Sequence, residues 1–156
     1  MLELKRDQLG QFSSIESFRA LVEGMSDALG EKATAVALTA AGRKHGQELA
    51  GKLGFKGTTQ NLEDATKQIA EVLGEEGARL CIIDKITQEG DTVKVYTTET
   101  LCAIGGTDEE PPKCTFTLGL VWGVLTELLQ HKLKGSQTKS VLRGDSYDLF
   151  EFITVE

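Results

Sequence analysis

The chain has 156 residues, 40% apolar and 26% charged, an ordinary balance for a globular protein and enough chain to bury the core of one domain. Its net charge of −7 argues against a general nucleic-acid binder, because phosphate contacts need clustered Lys and Arg. The N-terminal MLELKRDQLGQF lacks the apolar core of a signal peptide and no apolar run is long enough to cross a bilayer, so a cytoplasmic location without a transmembrane segment is expected.

In chain order, the first element is announced by Ser13-Ser14-Ile15-Glu16, which has the spacing of a capping box with Ser13 as the cap and Glu16 reaching back. Ile15, Phe18, Leu21, Val22, Met25 and Leu29 then recur at threes and fours, and Gly30 offers a stop. This amphipathic stripe faces either its own domain or a second copy of the chain. Residues 31–51 are rich in Ala and carry Gly42 and Gly46, a composition that favours a helix with a close-packing face. His45, among Arg43, Lys44 and Gln47, is read as a solvated or rim residue. The glycine-rich stretch 51–57 lacks the order of a phosphate loop, since Lys56-Gly57-Thr58 is not Gly-Lys-Ser/Thr, and is read as a connector.

A third helix is expected over 61–74, capped by Asn61, with Leu62, Ala65, Ile69, Val72 and Leu73 as its buried stripe. The period then changes to two. Residues 79–86 and 92–98 read as strands around the turn Glu89-Gly90-Asp91. Residues 101–104 and the acidic loop 107–110 lead to Pro111-Pro112, after which a new element must start.

That element, CTFTLGLVWGVLTELLQHKL over 114–133, holds the single tryptophan and the longest apolar run. At helical spacing Leu118, Val121, Trp122, Leu125, Leu128, Leu129 and Leu133 share one face, with Leu120 and Val124 on its flank. A central helix packed on a sheet is therefore expected. Gly119 and Gly123 lie off that face, each unfavourable for helix by about 1 kcal/mol relative to Ala, and let a backbone, a sheet or a ligand come close. Strands over 136–143 and 146–155 are expected to flank a turn at Gly144-Asp145. The order is three helices, then hairpin, helix, hairpin, so the fold class is α+β, with an antiparallel sheet covered by helices in a single domain.

Chemistry leaves few marks. Cys81, Cys102 and Cys114 include no Cys-x-x-Cys pair, and free thiols are expected. There is neither a Gly-x-Ser-x-Gly elbow nor a dinucleotide fingerprint. Asp84 and Glu99 read as solvated strand ends. Cys114, at the start of the central helix, is read as a buried inert thiol, with a reactive thiol as the alternative. A non-enzymatic role is expected.

Cys114-Thr115-Phe116-Thr117-Leu118-Gly119, then Gly123-Val124-Leu125, Gly144-Asp145 and a closing Phe150, resemble the vinyl-reductase-type (hydrocarbon-binding) domain. That superfamily also holds sensory domains of regulators of aromatic degradation, subunits of the Golgi tethering complex and haem nitric-oxide-binding domains. The resemblance covers about residues 33–155, leaving 1–30 as an N-terminal helical extension. It implies helices on an antiparallel sheet, frequent dimerisation and, in several branches, a lipophilic cavity. Many bacterial members place cysteines around the last hairpin for metal binding. Here Ser140 and Asp148 occupy those positions, which removes a soft thiolate site. The axial histidine and the arginine/tyrosine/serine signature of the haem relatives are not found, and no metal or resident cofactor is expected.

Two readings follow. In the first, a lipid, an aromatic compound or a tetrapyrrole binds in a pocket lined by Cys114, Phe116, Leu118, Gly119, Trp122, Gly123, Leu125 and Phe150. In the second, the chain is a structural subunit acting through helix contacts with itself, as a homodimer, or with another protein.

Overall fold

The structure, a computed structural model, describes residues 5–55, 61–101 and 114–156. The acidic loop 107–110, Cys102, the two prolines and the Lys56-Gly57-Thr58 segment lie outside the described residues. The chain divides into two compact units, residues 1–34 and 35–156.

The first unit carries α1 (Ile15–Leu29). Ser14, not Ser13, is its N-cap: Ser14 is extended and its Oγ accepts from the Ser17 backbone N–H at 3.1 Å. This shifts the cap by one residue and leaves Glu16 at the second helical position, where it complements the helix dipole but cannot close a reciprocal box. Gly30, at φ 85°, ends the helix. No residue of α1 is buried, and Leu21 and Leu29 are about three-fifths exposed (63% and 59%).

Helix α2 (Glu31–Lys52) continues into the second unit, followed there by α3 (Leu62–Leu73), β1 (Ile82–Glu89), β2 (Thr92–Thr98), α4 (Thr115–Leu129), β3 (Leu133–Lys139) and β4 (Asp148–Thr154). Asn61 caps α3 as expected, its Oδ1 accepting from the Glu63 N–H at 2.8 Å. The strands form one antiparallel sheet in the order β1-β2-β4-β3, so two sequential hairpins meet along β2 and β4. Val93, Val95 and Thr97 of β2 lie opposite Phe152, Phe150 and Asp148 of β4, and all six are buried. They form the inner face of the sheet, whose apolar members belong to one core with Ala65, Ile69 and Leu73 of α3 and with α4.

Three boundaries differ from the sequence reading, each for a backbone reason. The first strand starts at Ile82 rather than residue 79, because the N–H groups of Ala78, Arg79 and Leu80 turn back onto the carbonyls of Val72, Gly74 and Leu73 to close α3. Helix α4 stops at Leu129, where Gln130 adopts a left-handed conformation (φ 55°) and donates to the Thr126 carbonyl. Leu133 is therefore not on the helix face; it opens β3 opposite Thr154. The last hairpin is not a tight Gly144-Asp145 turn. β3 ends at Lys139, and a 3-10 turn over Val141–Arg143 intervenes before Gly144 at φ 88°.

Helices α2 and α4 approach closely. A Cβ built on Gly42 or Gly46 would come within 3.0 Å of the Phe116 or Leu120 carbonyl of α4. Reciprocally, a Cβ on Gly119 or Gly123 would overlap the Thr39 or Arg43 carbonyl of α2. Two pairs of glycines spaced by four thus interlock, so that backbone meets backbone with no side chain between. This is what the glycines on the far side of α4 are for: the flank carrying Leu120 and Val124, expected at the edge, is fully buried, while Leu118 and Trp122 are only partly so.

Gly46→Ala is expected to destabilise the protein by about 1–3 kcal/mol, the usual cost of overpacking, despite alanine's better helix propensity. Gly51→Ala in the same helix, where a Cβ meets nothing within 4 Å, should be neutral or stabilising by up to about 1 kcal/mol. Urea unfolding of the two variants checks this, and equal stabilities would contradict the interlocked seam.

Candidate ligand site on the sheet-facing side of the central helix

With one side of α4 taken by α2, its opposite side is left for the sheet. Trp122 stands at the edge between the two sides. Its ring meets Phe152 of β4 edge-on at 6.3 Å, and its Nε1 donates to the Leu133 carbonyl of β3 at 3.1 Å. Gly135 of β3 makes room: a Cβ there would strike the Phe152 ring and crowd the Trp122 ring. From the other side the Arg43 guanidinium covers the indole, 4.4 Å from its centroid, a contact worth about 0.5–1 kcal/mol at a partly exposed site. Trp122 is therefore half-buried and clamped between α2 and the sheet rather than sunk in the core. By helical spacing Leu118 and Leu125 share its side, Leu118 half-buried and Leu125 fully buried, and Phe150 is fully buried on the inner face of β4.

The other expected site residues have the following neighbours. Phe116 stacks on His45 of α2, with ring centroids 6.5 Å apart, so His45 is exposed but not idle. Gly119 and Gly123 are covered by the α2 backbone, so of the neighbours expected there, a backbone, a sheet or a ligand, it is a backbone that comes close. Cys114 is the N-cap of α4 and buried, and its side chain makes no capping bond.

At that end of α4 lies a group of buried polar residues that the sequence reading did not assemble. The Cys114 backbone N–H donates to Gln137 Oε1 at 3.2 Å, and Gln137 Nε2 in turn donates to Asp148 Oδ1 at 3.4 Å. Asp148 Oδ1 also accepts from the Val141 N–H at 3.2 Å. Thr97, across the ladder from Asp148, pairs its hydroxyl with that of Thr100 at 2.8 Å, both residues buried. Period-two counting back from Phe152 and Phe150 places Asp148 on the inner face, so this carboxylate was visible in the sequence.

Ser140 and Asp148, the positions where the resemblance expects metal-binding cysteines, both serve the hairpin instead. Ser140 Oγ accepts from the Leu142 N–H at 3.3 Å, and Asp145 Oδ2 accepts from the Ser140 N–H at 3.2 Å. Side-chain acceptors thus hold this loop. Among the described residues no group of three or more His, Cys, Asp or Glu is placed to hold a metal ion. Asp84 and Glu99 are exposed, and Asp84 accepts from the Thr98 hydroxyl at 3.4 Å.

No family model matches the chain, and comparison with curated proteins gives no match. Solved structures do share the fold. The phenol-responsive sensory domain of the transcription activator PoxR, crystallised with phenol, has a TM-score of 0.73 at 12% identity over 92% of this chain and 76% of that one. Subunit 3 of a trafficking protein particle complex from Naegleria fowleri, covalently bound to palmitic acid, has a TM-score of 0.63 at 16% identity, covering 91% and 93% of the two chains. A vinyl-4-reductase family protein from Methanocaldococcus jannaschii reaches 0.54 at 13% identity, over 95% of this chain and 85% of that one. At these identities the likeness is one of fold, and it is the fold that the resemblance implied.

A loop held by hydrogen bonds needs no metal. Elemental analysis of the purified protein is expected to find no stoichiometric zinc or iron, and a chelator should leave the melting temperature unchanged. One tightly held metal ion per chain would contradict this account of Ser140, Asp145 and Asp148.

Proposed function

We propose that this protein binds a small lipophilic molecule between the sheet-facing side of α4 and the inner face of the sheet, as a non-catalytic sensor or carrier. The observation that carries this reading is the division of α4 into two sides. One is welded to α2 through glycines, while the other presents Val121, Leu125 and Leu128, with Leu118 and Trp122 at its edge, to a sheet face carrying Phe150 and Phe152. Sites for small apolar molecules are walled in this way, with a few polar groups at one end. The shared fold of a domain crystallised with phenol and a subunit covalently bound to palmitic acid supports it. The occupant on this reading is a lipid or an aromatic compound, held without a metal.

A second reading is favoured by α1. Its Leu21 and Leu29 are exposed and it buries none of its residues, although a 15-residue helix is marginal in water without tertiary packing. On this reading α1 is an interface helix, with a second copy of the chain as its first candidate partner, and the assembly is a homodimer. The two readings are compatible.

As the single tryptophan, Trp122 reports on the site without interference from another indole. Titration with fatty acids, fatty alcohols and alkylphenols is expected to change its fluorescence saturably. Trp122→Phe should cost about 1–2 kcal/mol of stability through the lost bond to Leu133 and the lost Arg43 contact. It should also alter affinity for those compounds. A flat titration, with Trp122→Phe changing stability alone, would contradict the ligand reading.

A further inference from the structure

The buried polar group at the N-terminal end of α4 has an unsettled member. Asp148 is 0% exposed, and both of its protein donors, Val141 N–H and Gln137 Nε2, fall on Oδ1. Oδ2 is buried and has no hydrogen-bond partner. Leaving a buried carboxylate oxygen unmatched is among the more costly arrangements in a folded protein, so a donor belongs there. Among the described residues none supplies one: the hydroxyl of Thr97, directly opposite, is paired with that of Thr100, no salt bridge among these residues reaches Asp148, and Lys139 of the same hairpin lies over the Tyr147 ring.

A second feature meets it. Helix α4, 15 residues long, begins at Cys114 without a side-chain cap, and the one amide of Gln137 bonds both the Cys114 N–H and Asp148 Oδ1. The carboxylate and the positive end of the helix thus flank a single side chain. Resting on the ligand reading above, we infer that Asp148 Oδ2 is the polar anchor of the site and takes the hydroxyl group of an otherwise apolar ligand.

The chemistry selects the group. A carboxylate offers only acceptors, so the ligand must bring a hydrogen-bond donor. A ligand carboxylate would set two like charges together in an apolar surrounding. An ammonium would suit Asp148 but would be opposed by the helix N-terminus beside it. A hydroxyl donates to Oδ2 without carrying charge. Cation binding at the same atom is not favoured, because Asp148 finds no second and third carboxylate, His or Cys ligand among the described residues.

The test is calorimetric titration of the full chain with matched sets on two apolar bodies: 1-dodecanol, its methyl ether and dodecanoate, and 4-butylphenol, its methyl ether and 4-butylbenzoate. The alcohol or phenol of at least one set is expected to bind at least tenfold more tightly than the methyl ether, which lacks the donor, and than the carboxylate. Asp148→Asn exchanges the acceptor at Oδ2 for an N–H donor. It should shrink the preference for hydroxyl over carboxylate by tenfold or more, while binding of the methyl ether strengthens or holds. Binding of all three members of each set within twofold of one another in the wild type would overturn the anchor and leave the ligand reading standing. So would a preference that Asp148→Asn leaves intact. No binding by any of the six would overturn both. The wild-type comparison decides the matter even if Asp148→Asn does not fold.

Discussion

The interlocked glycines of α2 and α4 are the constraint on which the rest of the larger unit depends. Gly42 and Gly46 on one helix and Gly119 and Gly123 on the other let carbonyls of each backbone occupy the space where Cβ atoms would stand. Each glycine lowers intrinsic helix stability by about 1 kcal/mol relative to Ala. What they gain is proximity: dispersion across two closely apposed backbones, with weak Cα–H to carbonyl contacts, and burial of Leu120 and Val124 beside the seam. Because no side chain intervenes, the two helices have little freedom to slide, and α4 is presented to the sheet in one orientation.

That orientation settles what each side of α4 does. Trp122 is held by three different elements, with Arg43 from α2 over its face, Phe152 against its edge and the Leu133 carbonyl on its N–H. The N-terminal end of the same helix is tied to the β3–β4 hairpin through Gln137. The helix therefore lies along a sheet face that is aromatic and aliphatic near Trp122 and polar near Cys114. An amphiphilic molecule matches such a gradient better than a hydrocarbon without a polar group does.

Much of this was legible in the sequence. Helical periodicity, the Asn61 cap and the alternation of β2 all correspond to elements in the structure, as does the α+β order of hairpin, helix, hairpin. What failed were boundaries governed by backbone bonds that composition does not encode. The left-handed turn at Gln130 carries no glycine to announce it, and the return of residues 78–80 onto α3 looks like the start of a strand because Leu80, Cys81 and Ile82 are apolar. The candidate site was legible in part. Leu125 and Phe150 are buried in the core, as periodicity expects, and Trp122 meets Phe152 of the sheet. Gly119 and Gly123 were recognised as points of close approach, but a sequence cannot say which neighbour approaches, and it is α2. Asp148 shows the converse case. The resemblance marks it for the cysteine it replaces, whereas period-two counting from Phe150 and Phe152 already places it on the buried face, opposite Thr97.

On the proposed function, the chain carries a small amphiphilic molecule beneath α4. Native mass spectrometry of protein purified without added ligand tests it most directly. The expected spectrum shows a chain mass, in monomer or dimer, that retains a non-covalent small molecule, lost on collisional activation and restored by adding an alcohol or phenol. Bare protein in every charge state and oligomer, unchanged by such additions, would contradict it and leave the fold as an assembly subunit alone.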